Sequence, residues 1–201
     1  MTTRLLIFAK APLPGQAKTR LIPALGAEGA ARLAHTMLNS TLAHALAADI
    51  GPVELCMSPA PTHSDWRAFH LPAGLEPSGQ GEGNLGARMA RAARRGLTQN
   101  EAVLLVGTDC PQLCPALLQR AATRLAGYDA LLHATADGGY ALLGQRRFSA
   151  ALFDNMPWST DRVAELTRQR LDALGWHWCE GETLQDIDEP GDLFLLPGRW
   201  L

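Results

Sequence analysis

The chain has 201 residues, of which 47% are hydrophobic and 19% are charged, and its formal net charge is −2. This composition excludes wholesale disorder, and the slightly acidic balance argues against a broad nucleic-acid-binding face. No apolar run approaches the roughly 20 residues of a membrane span. The opening MTTRLLIFAKAPLPG has neither the apolar length nor the cleavage site of a secretory signal. We therefore predict one domain over residues 1–201, with no membrane or nucleic-acid partner.

Strand and helix patterns alternate along the chain, as in a sheet covered by helices. Short apolar runs predict strands at 4–10, 52–58, 101–107, 128–135, 140–144 and 176–180. Apolar residues at helical spacing predict helices at 26–49, 84–97, 115–126, 160–174 and 190–196. The Pro- and Gly-rich stretch 59–83 predicts a loop with one short helix near 65–70. The expected fold class is α/β, a three-layer α/β/α sandwich around a mainly parallel, mixed sheet.

Two details of the helices carry specific expectations. Thr160 or Asp161 is expected to cap the helix at 160–174, because both side chains accept hydrogen bonds from free backbone N–H groups. The arginines of the helix at 84–97 are expected to form a solvated face rather than a ligand site; they are Arg88, Arg91, Arg94 and Arg95.

Cysteine and lysine are both used sparingly. The four cysteines fit no zinc-binding spacing, and a chain of this size needs no disulfides, so we expect reduced thiols in a cytoplasmic protein. Only two of the 18 basic residues are lysines, Lys10 and Lys18, and both lie at or just after the first predicted strand. Because lysine presents a compact charge that suits phosphate oxygens, this clustering favours a phosphate-binding loop.

The loop at 11–20 follows the first strand, at the edge where open α/β sheets bind ligands. Gly15 would allow close backbone approach, and Lys18 and Arg20 would neutralise phosphate charge. The loop lacks the spacing of a Walker A motif. The alternative is a surface turn with exposed cations.

Carboxylates occur at two comparable places. Asp109 follows the most apolar predicted strand, where its carboxylate could bind a magnesium ion. The alternative is that it caps the next helix. If Asp186 and Asp188 lie on a strand, they share one face, and either could complete that metal site; the alternative is that they cap the terminal helix. The loop 80–86 carries amide side chains, which can read the edge of a nucleobase.

Together these segments resemble the nucleotide-diphospho-sugar transferase superfamily, which has the GT-A-like fold. Within it, the chain is similar to bacterial radical-SAM/selenodomain-associated or arsenosugar-biosynthesis glycosyltransferases. The matching pieces span nearly the whole chain in the family's order: 7–12, 14–15, 18–21, 80, 83–86, 107–111, 137–140, 158–160 and 186–188. The opening also resembles 2-phospholactate guanylyltransferases in its Lys18-Thr19-Arg20-Leu21 element.

The resemblance implies roles for individual residues. It implies nucleotide binding by Lys10, Gly15, Lys18, Arg20, Gln80, Gly83 and Asn84. Asp109 and Asp188 would bind Mg²⁺ or Mn²⁺, and Lys18, Asp109 and Asp137 would carry the catalysis. The acceptor would lie against Asp137, Gly138, Gly139, Tyr140, Trp158, Ser159 and Thr160.

Three functions follow as alternatives. The first is metal-dependent transfer of a sugar from a nucleotide-diphospho-sugar to a small acceptor. The second is nucleotidyl transfer from an NTP to a phosphorylated small molecule, with release of pyrophosphate. The third is a catalytically inactive nucleotide-binding module, which the departures from the family pattern at His133-Ala134-Thr135 and at Asn84 suggest.

Overall fold

Within residues 1–198 and 200, which this computed structural model describes, seven strands form one mixed sheet. Their bounds are Thr3–Lys10 (β1), Val53–Ser58 (β2), Leu75–Gly79 (β3), Ala102–Val106 (β4), Ala130–Ala134 (β5), Tyr140–Gln145 (β6) and Trp178–Glu180 (β7). The strand order is β3-β2-β1-β4-β6-β5-β7. Strand β6 runs antiparallel to β4 and β5, and the other pairs are parallel. The sheet is therefore mixed and mainly parallel, as predicted.

Helices cover both faces of this sheet. They are Ile22–Ala48 (α1), Leu85–Leu97 (α2), Pro115–Leu125 (α3) and Val163–Ala173 (α4). Helices α1 and α3 pack on one face against Leu5 and Leu104, and α2 and α4 pack on the other against Leu6 and Leu105. Successive strand residues point to opposite faces, so the near-continuous apolar run of β4 fits a strand buried on both sides. The three-layer α/β/α prediction is confirmed.

The predicted elements agree with the structure except at a few places. The region 59–83 contains strand β3, which the sequence analysis missed, and its short helix is the 3₁₀ turn Ser64–Trp66. Strand β3 pairs only with β2 and carries Pro77, which an edge strand tolerates because its outer N–H groups need no partner. Low apolar content and an internal proline hid this strand in the sequence.

The predicted cap of helix α4 was wrong. Helix α4 begins only at Val163, and its N-cap Arg162 forms no side-chain capping bond. The Thr160 hydroxyl instead donates to the carbonyl of Pro157, 2.8 Å away. The terminal helix is the 3₁₀ segment Pro190–Leu195, which Glu189 and Asp192 cap reciprocally.

Two further findings concern the whole chain. The four cysteines are free, as predicted, and three of them are buried. Among the described residues, no helix combines the length and the apolar character needed to cross a membrane.

Candidate active site

A cleft of about 730 Å³ opens at the carboxyl ends of β1 and β4. The loop after β1 forms one wall, and the loop after β4 forms the floor. Because β6 runs antiparallel, its amino end, which begins at Tyr140, lies at the same edge and supplies the opposite wall. This is the edge at which open α/β sheets bind ligands.

The cleft brings together most of the residues that the sequence analysis selected. Those that line it are Lys10, Lys18, Arg20, Gln80, Gly83, Asn84, Asp109, Asp137, Gly139, Tyr140, Trp158, Ser159, Thr160 and Asp188. They come from segments as far apart as β1 and the loop before the terminal 3₁₀ helix. One cavity therefore collects the cations, the carboxylates and the predicted acceptor segment.

Two predicted site residues, Gly15 and Gly138, do not line the cleft. Gly15 has a φ of 75° and turns the chain so that the following residues, from Gln16 to Arg20, reach the cavity. Gly138 has a φ of 90°, and a Cβ there would collide with the carbonyl of Asp161. Both glycines shape backbone that only glycine adopts easily, and neither is placed to contact a ligand directly.

Lys18 is buried at the centre of the charged part of the cleft. Its side chain is only 6% exposed and forms ion pairs with Asp109 and, at 3.1 Å, with Asp188. Its ammonium also donates to the carbonyl of Ile187, 2.5 Å away. Burial alone lowers the pKa of Lys18, but the charges of Asp109 and Asp188 together outweigh it and raise the pKa. The loop at 11–20 is therefore not a surface turn with an exposed lysine.

The two carboxylates beside Lys18 belong to different loops. Asp109 lies in the loop after β4, and the main chain of Ile187 donates to its carbonyl at 2.9 Å. Neither alternative role as a helix cap holds, since Cys114 is the N-cap of α3 and Glu189 is that of the terminal segment. Residues 186–188 form no strand, so the expectation that their carboxylates share a strand face was wrong.

Asp188 and Asp186 differ in their surroundings. Asp188 lines the cleft and contacts Lys18, whereas Asp186 is half-buried and does not line the cleft. Burial, reinforced by the charge of Asp137, raises the pKa of Asp186 to about 6. Of the two, Asp188 is the one placed to reach a bound ligand.

The oxygen ligands of a divalent cation are present at Lys18. The carboxylates of Asp109 and Asp188 and the carbonyl of Ile187 all converge on its ammonium. Carboxylate and carbonyl oxygens are the ligands that Mg²⁺ and Mn²⁺ prefer. Within the described part of the chain, no cluster of three or more His, Cys, Asp or Glu residues could hold a metal. The donors thus fit a cation that takes its remaining ligands from a phosphate and water, as Mg²⁺ commonly does.

Gln80, for which a contact with the base is predicted, lines the cleft and also joins two strands. It is 8% exposed, and its side-chain amide donates to the carbonyls of Ala9, at 3.1 Å, and Cys56, at 2.9 Å. Both N–H groups are thus used to join the ends of β1 and β2. The Asn84 side chain accepts from the main chain of Ala87 at 3.0 Å and caps α2.

The prediction of a solvated face was wrong for two of the arginines of α2, Arg88 and Arg95, whereas Arg91 and Arg94 are exposed. Arg88 lines the cleft and donates to the Gly83 carbonyl at 2.8 Å. Arg91 donates to the carbonyls of Gln80 and Glu82, and Arg95 pairs with the buried Glu54. Their spacing of three and four residues on one helix face was a usable signal, since such residues share neighbours.

The wall of the cleft that is predicted to contact the acceptor combines aromatic rings with one carboxylate. Tyr140 and Trp158 meet edge to face with ring centroids 6.3 Å apart. The Asp137 carboxylate accepts from the Thr135 hydroxyl and, at 2.9 Å, from the main chain of Gly139, and it remains exposed to the cleft. Burial raises the pKa of Tyr140, which keeps its hydroxyl neutral.

Comparison with known proteins identifies a family. A family model of uncharacterised proteins conserved in bacteria, DUF2064, matches residues 41–160. The chain belongs to this DUF2064 family. No protein of curated function matches the chain.

Solved structures extend the comparison to the whole fold. A provisionally assigned nucleotide-diphospho-sugar transferase from Desulfovibrio desulfuricans G20 is 28% identical, with a TM-score of 0.86 over 94% of this chain and 83% of that one. A Methanothermobacter nucleotidyl transferase, Mth528, is 17% identical, with a TM-score of 0.63 over 99% of this chain and 97% of that one. Rv0371c from Mycobacterium tuberculosis H37Rv, solved in complex with manganese, is 18% identical, with a TM-score of 0.56 over 97% of each chain. The fold is that of sugar and nucleotidyl transferases.

Proposed function

We propose that this protein is a metal-dependent glycosyltransferase that moves a sugar from a nucleotide-diphospho-sugar to a small acceptor. The observation that carries the proposal is the single cleft that joins cations, paired carboxylates and an aromatic wall with Asp137. The similarity to the Desulfovibrio protein supports it, as does the resemblance to radical-SAM/selenodomain-associated and arsenosugar-biosynthesis glycosyltransferases.

The cations of the cleft would hold the diphosphate. Lys10 and Arg20 are exposed on the wall after β1, and Arg88 faces them from α2. Asp109, Asp188 and the Ile187 carbonyl would hold Mg²⁺ or Mn²⁺, which when bound neutralises charge on the departing diphosphate. Lys18 and Arg20 would add positive charge at the same phosphate oxygens. Rate enhancement then comes from position and electrostatics, with no covalent step on the protein.

Asp137 would act on the acceptor. Thr135 and Gly139 hold one of its oxygens, so the carboxylate is oriented before substrate binds. In the proposed step the acceptor hydroxyl oxygen forms a bond to the anomeric carbon, and the bond from that carbon to the diphosphate oxygen breaks. The hydroxyl proton passes to Asp137, and the electron pair leaves with the nucleoside diphosphate. The rings of Tyr140 and Trp158 would bound the sugar and acceptor on one side.

Nucleotidyl transfer is the second candidate, and the number of cations favours it. Lys10, Lys18, Arg20 and Arg88 all line the cleft, which suits the charge of a triphosphate. In that reaction an acceptor phosphate or carboxylate oxygen attacks the α-phosphorus, and pyrophosphate leaves. The similarity of the Lys18-Thr19-Arg20-Leu21 element to guanylyltransferases supports the same alternative.

The inactive-module alternative is the least supported. His133 is buried and hydrogen-bonds to the carbonyl of Glu182 at 2.9 Å, away from the cleft. Asn84 caps α2. The departure at Asn84 places an amide where the family often has a carboxylate, but Asp109, Asp137 and Asp188 still line the cleft.

Product analysis tests the proposal and separates its alternatives. The protein is incubated with Mn²⁺, a pool of small hydroxylated and phosphorylated metabolites, and either nucleotide-sugars or NTPs. Mass spectrometry then identifies the nucleotide product. A nucleoside diphosphate released from one nucleotide-sugar is the expected result, and its release should stop in Asp109→Asn. Release of pyrophosphate from an NTP would show that the protein catalyses nucleotidyl transfer and not sugar transfer. If neither kind of donor is turned over, both proposed reactions are contradicted.

A further inference from the structure

We propose that Lys18 and the divalent cation compete for the same oxygen atoms, so that the metal enters the cleft together with a phosphate that receives the lysine. This inference rests on the proposed function, because it concerns the metal of the same site. It adds a coupling between metal and nucleotide that the site residues alone do not imply.

Three oxygen atoms surround the ammonium of Lys18. Lys18 Nζ contacts a carboxylate oxygen of Asp109, a carboxylate oxygen of Asp188 at 3.1 Å and the Ile187 carbonyl at 2.5 Å. These three oxygen atoms are the partners that the described residues supply to the ammonium. A cation bound by the same three oxygens would occupy the space of the ammonium. Two positive charges cannot share it, so the metal must displace Lys18.

The charges around the site show why a metal ion without a phosphate is a poor substitute for the Lys18 ammonium. Lys18 neutralises one of the two carboxylate charges of Asp109 and Asp188. A divalent cation neutralises both but takes these counter-ions from the Lys18 ammonium, whose side chain is only 6% exposed where it now lies. A buried charge without a partner is strongly disfavoured. A phosphate beside the metal removes this cost because it accepts the displaced ammonium.

The geometry allows this exchange. The side chains of Asp109 and Asp188 are 50% and 43% exposed, so a ligand in the cleft can reach them. Lys18 has a left-handed backbone, with a φ of 47°, and it directly precedes the 3₁₀ turn Thr19–Leu21. Residues other than glycine adopt this conformation at some cost, and such residues are concentrated at functional sites. The lysine is therefore held at the junction between the two carboxylates and the predicted phosphate site.

Coupling of this kind is reciprocal. If displacement of Lys18 weakens the binding of metal alone, then metal and phosphate each raise the affinity for the other by the same factor. The cleft would stay closed to free metal and accept the metal with its nucleotide.

The test measures Mn²⁺ binding without any nucleotide. Free Mn²⁺ is followed by electron paramagnetic resonance during titration of the wild-type protein, Lys18→Met and Lys18→Gln. Both variants should bind Mn²⁺ at least about tenfold more tightly than the wild type, because the competing charge is gone. Lys10→Met is the matched control: Lys10 also lines the cleft but forms no ion pair with any described residue. Its effect should stay below about threefold.

A second readout tests the coupling itself. In the wild type, Mn²⁺ and inorganic pyrophosphate together should raise the melting temperature by more than the sum of their separate effects. In Lys18→Met this surplus should be lost, although both ligands remain present at the same concentrations. Circular dichroism confirms that each variant is folded.

The outcomes separate this inference from the proposed function. Equal Mn²⁺ affinity of the wild type and both Lys18 variants would overturn the competition and leave the metal site standing. An equal gain in Lys10→Met would also overturn it, because the effect would then be one of general charge. Absence of Mn²⁺ binding in every variant would overturn the inference and the metal-dependent function together.

Discussion

At the scale of single residues, the loop before the terminal 3₁₀ segment assigns different tasks to two nearby carboxylates. Asp188 contacts Lys18 and lines the cleft. Asp186, two positions earlier, is half-buried, and its pKa is raised to about 6 by burial and by the charge of Asp137. The carboxylate of Asp188 is available to a ligand, whereas the negative charge of Asp186 lowers the stability of the folded protein.

The two positions form a matched pair of variants. Asp188→Asn should weaken Mn²⁺-dependent nucleotide binding at least about tenfold, because it removes a charged ligand of the cation. Asp186→Asn should leave that binding within about threefold and preserve or raise the melting temperature at neutral pH, since an unfavourable buried charge is lost. Isothermal titration calorimetry and thermal unfolding measure the two effects. A stronger loss of binding in Asp186→Asn would reverse the assignment.

His133 predicts a pH dependence of folding. Burial lowers its pKa below the ordinary value of 6.5, so the folded protein holds it neutral where the unfolded chain takes up a proton. This contribution to stability is complete above pH 6.5 and is lost as the pH falls toward the lower folded-state pKa. The loss is at most about 1.4 kcal/mol per pH unit. Urea unfolding at pH 7.5 and 5.5 should show a larger loss for the wild type than for His133→Asn; equal losses would exclude this role.

Residue-level contacts were the least accessible part of the site from sequence. The composition of the loop at 11–20 predicts phosphate binding. It does not predict that Lys18 pairs with residues far along the chain, Asp109 and Asp188. Gln80 likewise uses its amide on the carbonyls of Ala9 and Cys56. Such pairings depend on strand register and loop geometry, which local patterns do not encode.

At the scale of elements, the turn between β5 and β6 is fastened to the start of α4. The main chain of Ala164 donates to the Gly138 carbonyl at 2.8 Å, and Gly138 lies against Asp161. Its φ of 90° is open mainly to glycine. The contact sets the position of Asp137 on one side and of the segment 158–160 on the other.

Gly138→Ala should therefore disturb both the fold and the wall of the cleft that is predicted to contact the acceptor. A Cβ would meet the Asp161 carbonyl in a backbone region that L residues avoid, and we expect a loss of about 2 to 4 kcal/mol in the free energy of unfolding. Gly127→Ala is the control, because a Cβ there has its nearest neighbour at 3.8 Å. Chemical unfolding measures both variants. If Gly138→Ala matched the control, the turn would not be constrained as described.

Most elements were predictable because their patterns are strong. The apolar run of β4 and the helical spacing of α1 each satisfy one physical requirement along a continuous segment. Strand β3 was missed because its pairing with β2, rather than its own composition, makes it a strand. The observed start of α4 differs from the predicted one for a similar reason, because the contact with Gly138 determines its first turn.

At the scale of the whole molecule, the charge distribution matters more than its sum. The net charge of −2 argues against a surface that binds polyanions such as nucleic acids. The cleft nevertheless brings together four cations, Lys10, Lys18, Arg20 and Arg88. They lie in the same cleft as the carboxylates of Asp109 and Asp188. The mixed sheet produces this arrangement by placing the ends of β1, β4 and β6 at one edge. Composition alone did not reveal the clustering, but the positions of the lysines and aspartates relative to the predicted strands did.

The most direct test of the account is a thermal-shift panel on the wild-type protein and Asp109→Asn. UDP-, GDP-, ADP- and dTDP-sugars and the NTPs are each measured with and without Mn²⁺. We predict that one nucleotide ligand, at about a hundredfold excess over its Kd, raises the melting temperature by about 5 to 10 °C with Mn²⁺. The shift should be much smaller without Mn²⁺ and absent in Asp109→Asn. No shift with any nucleotide, or a shift that needs neither Mn²⁺ nor Asp109, would contradict it.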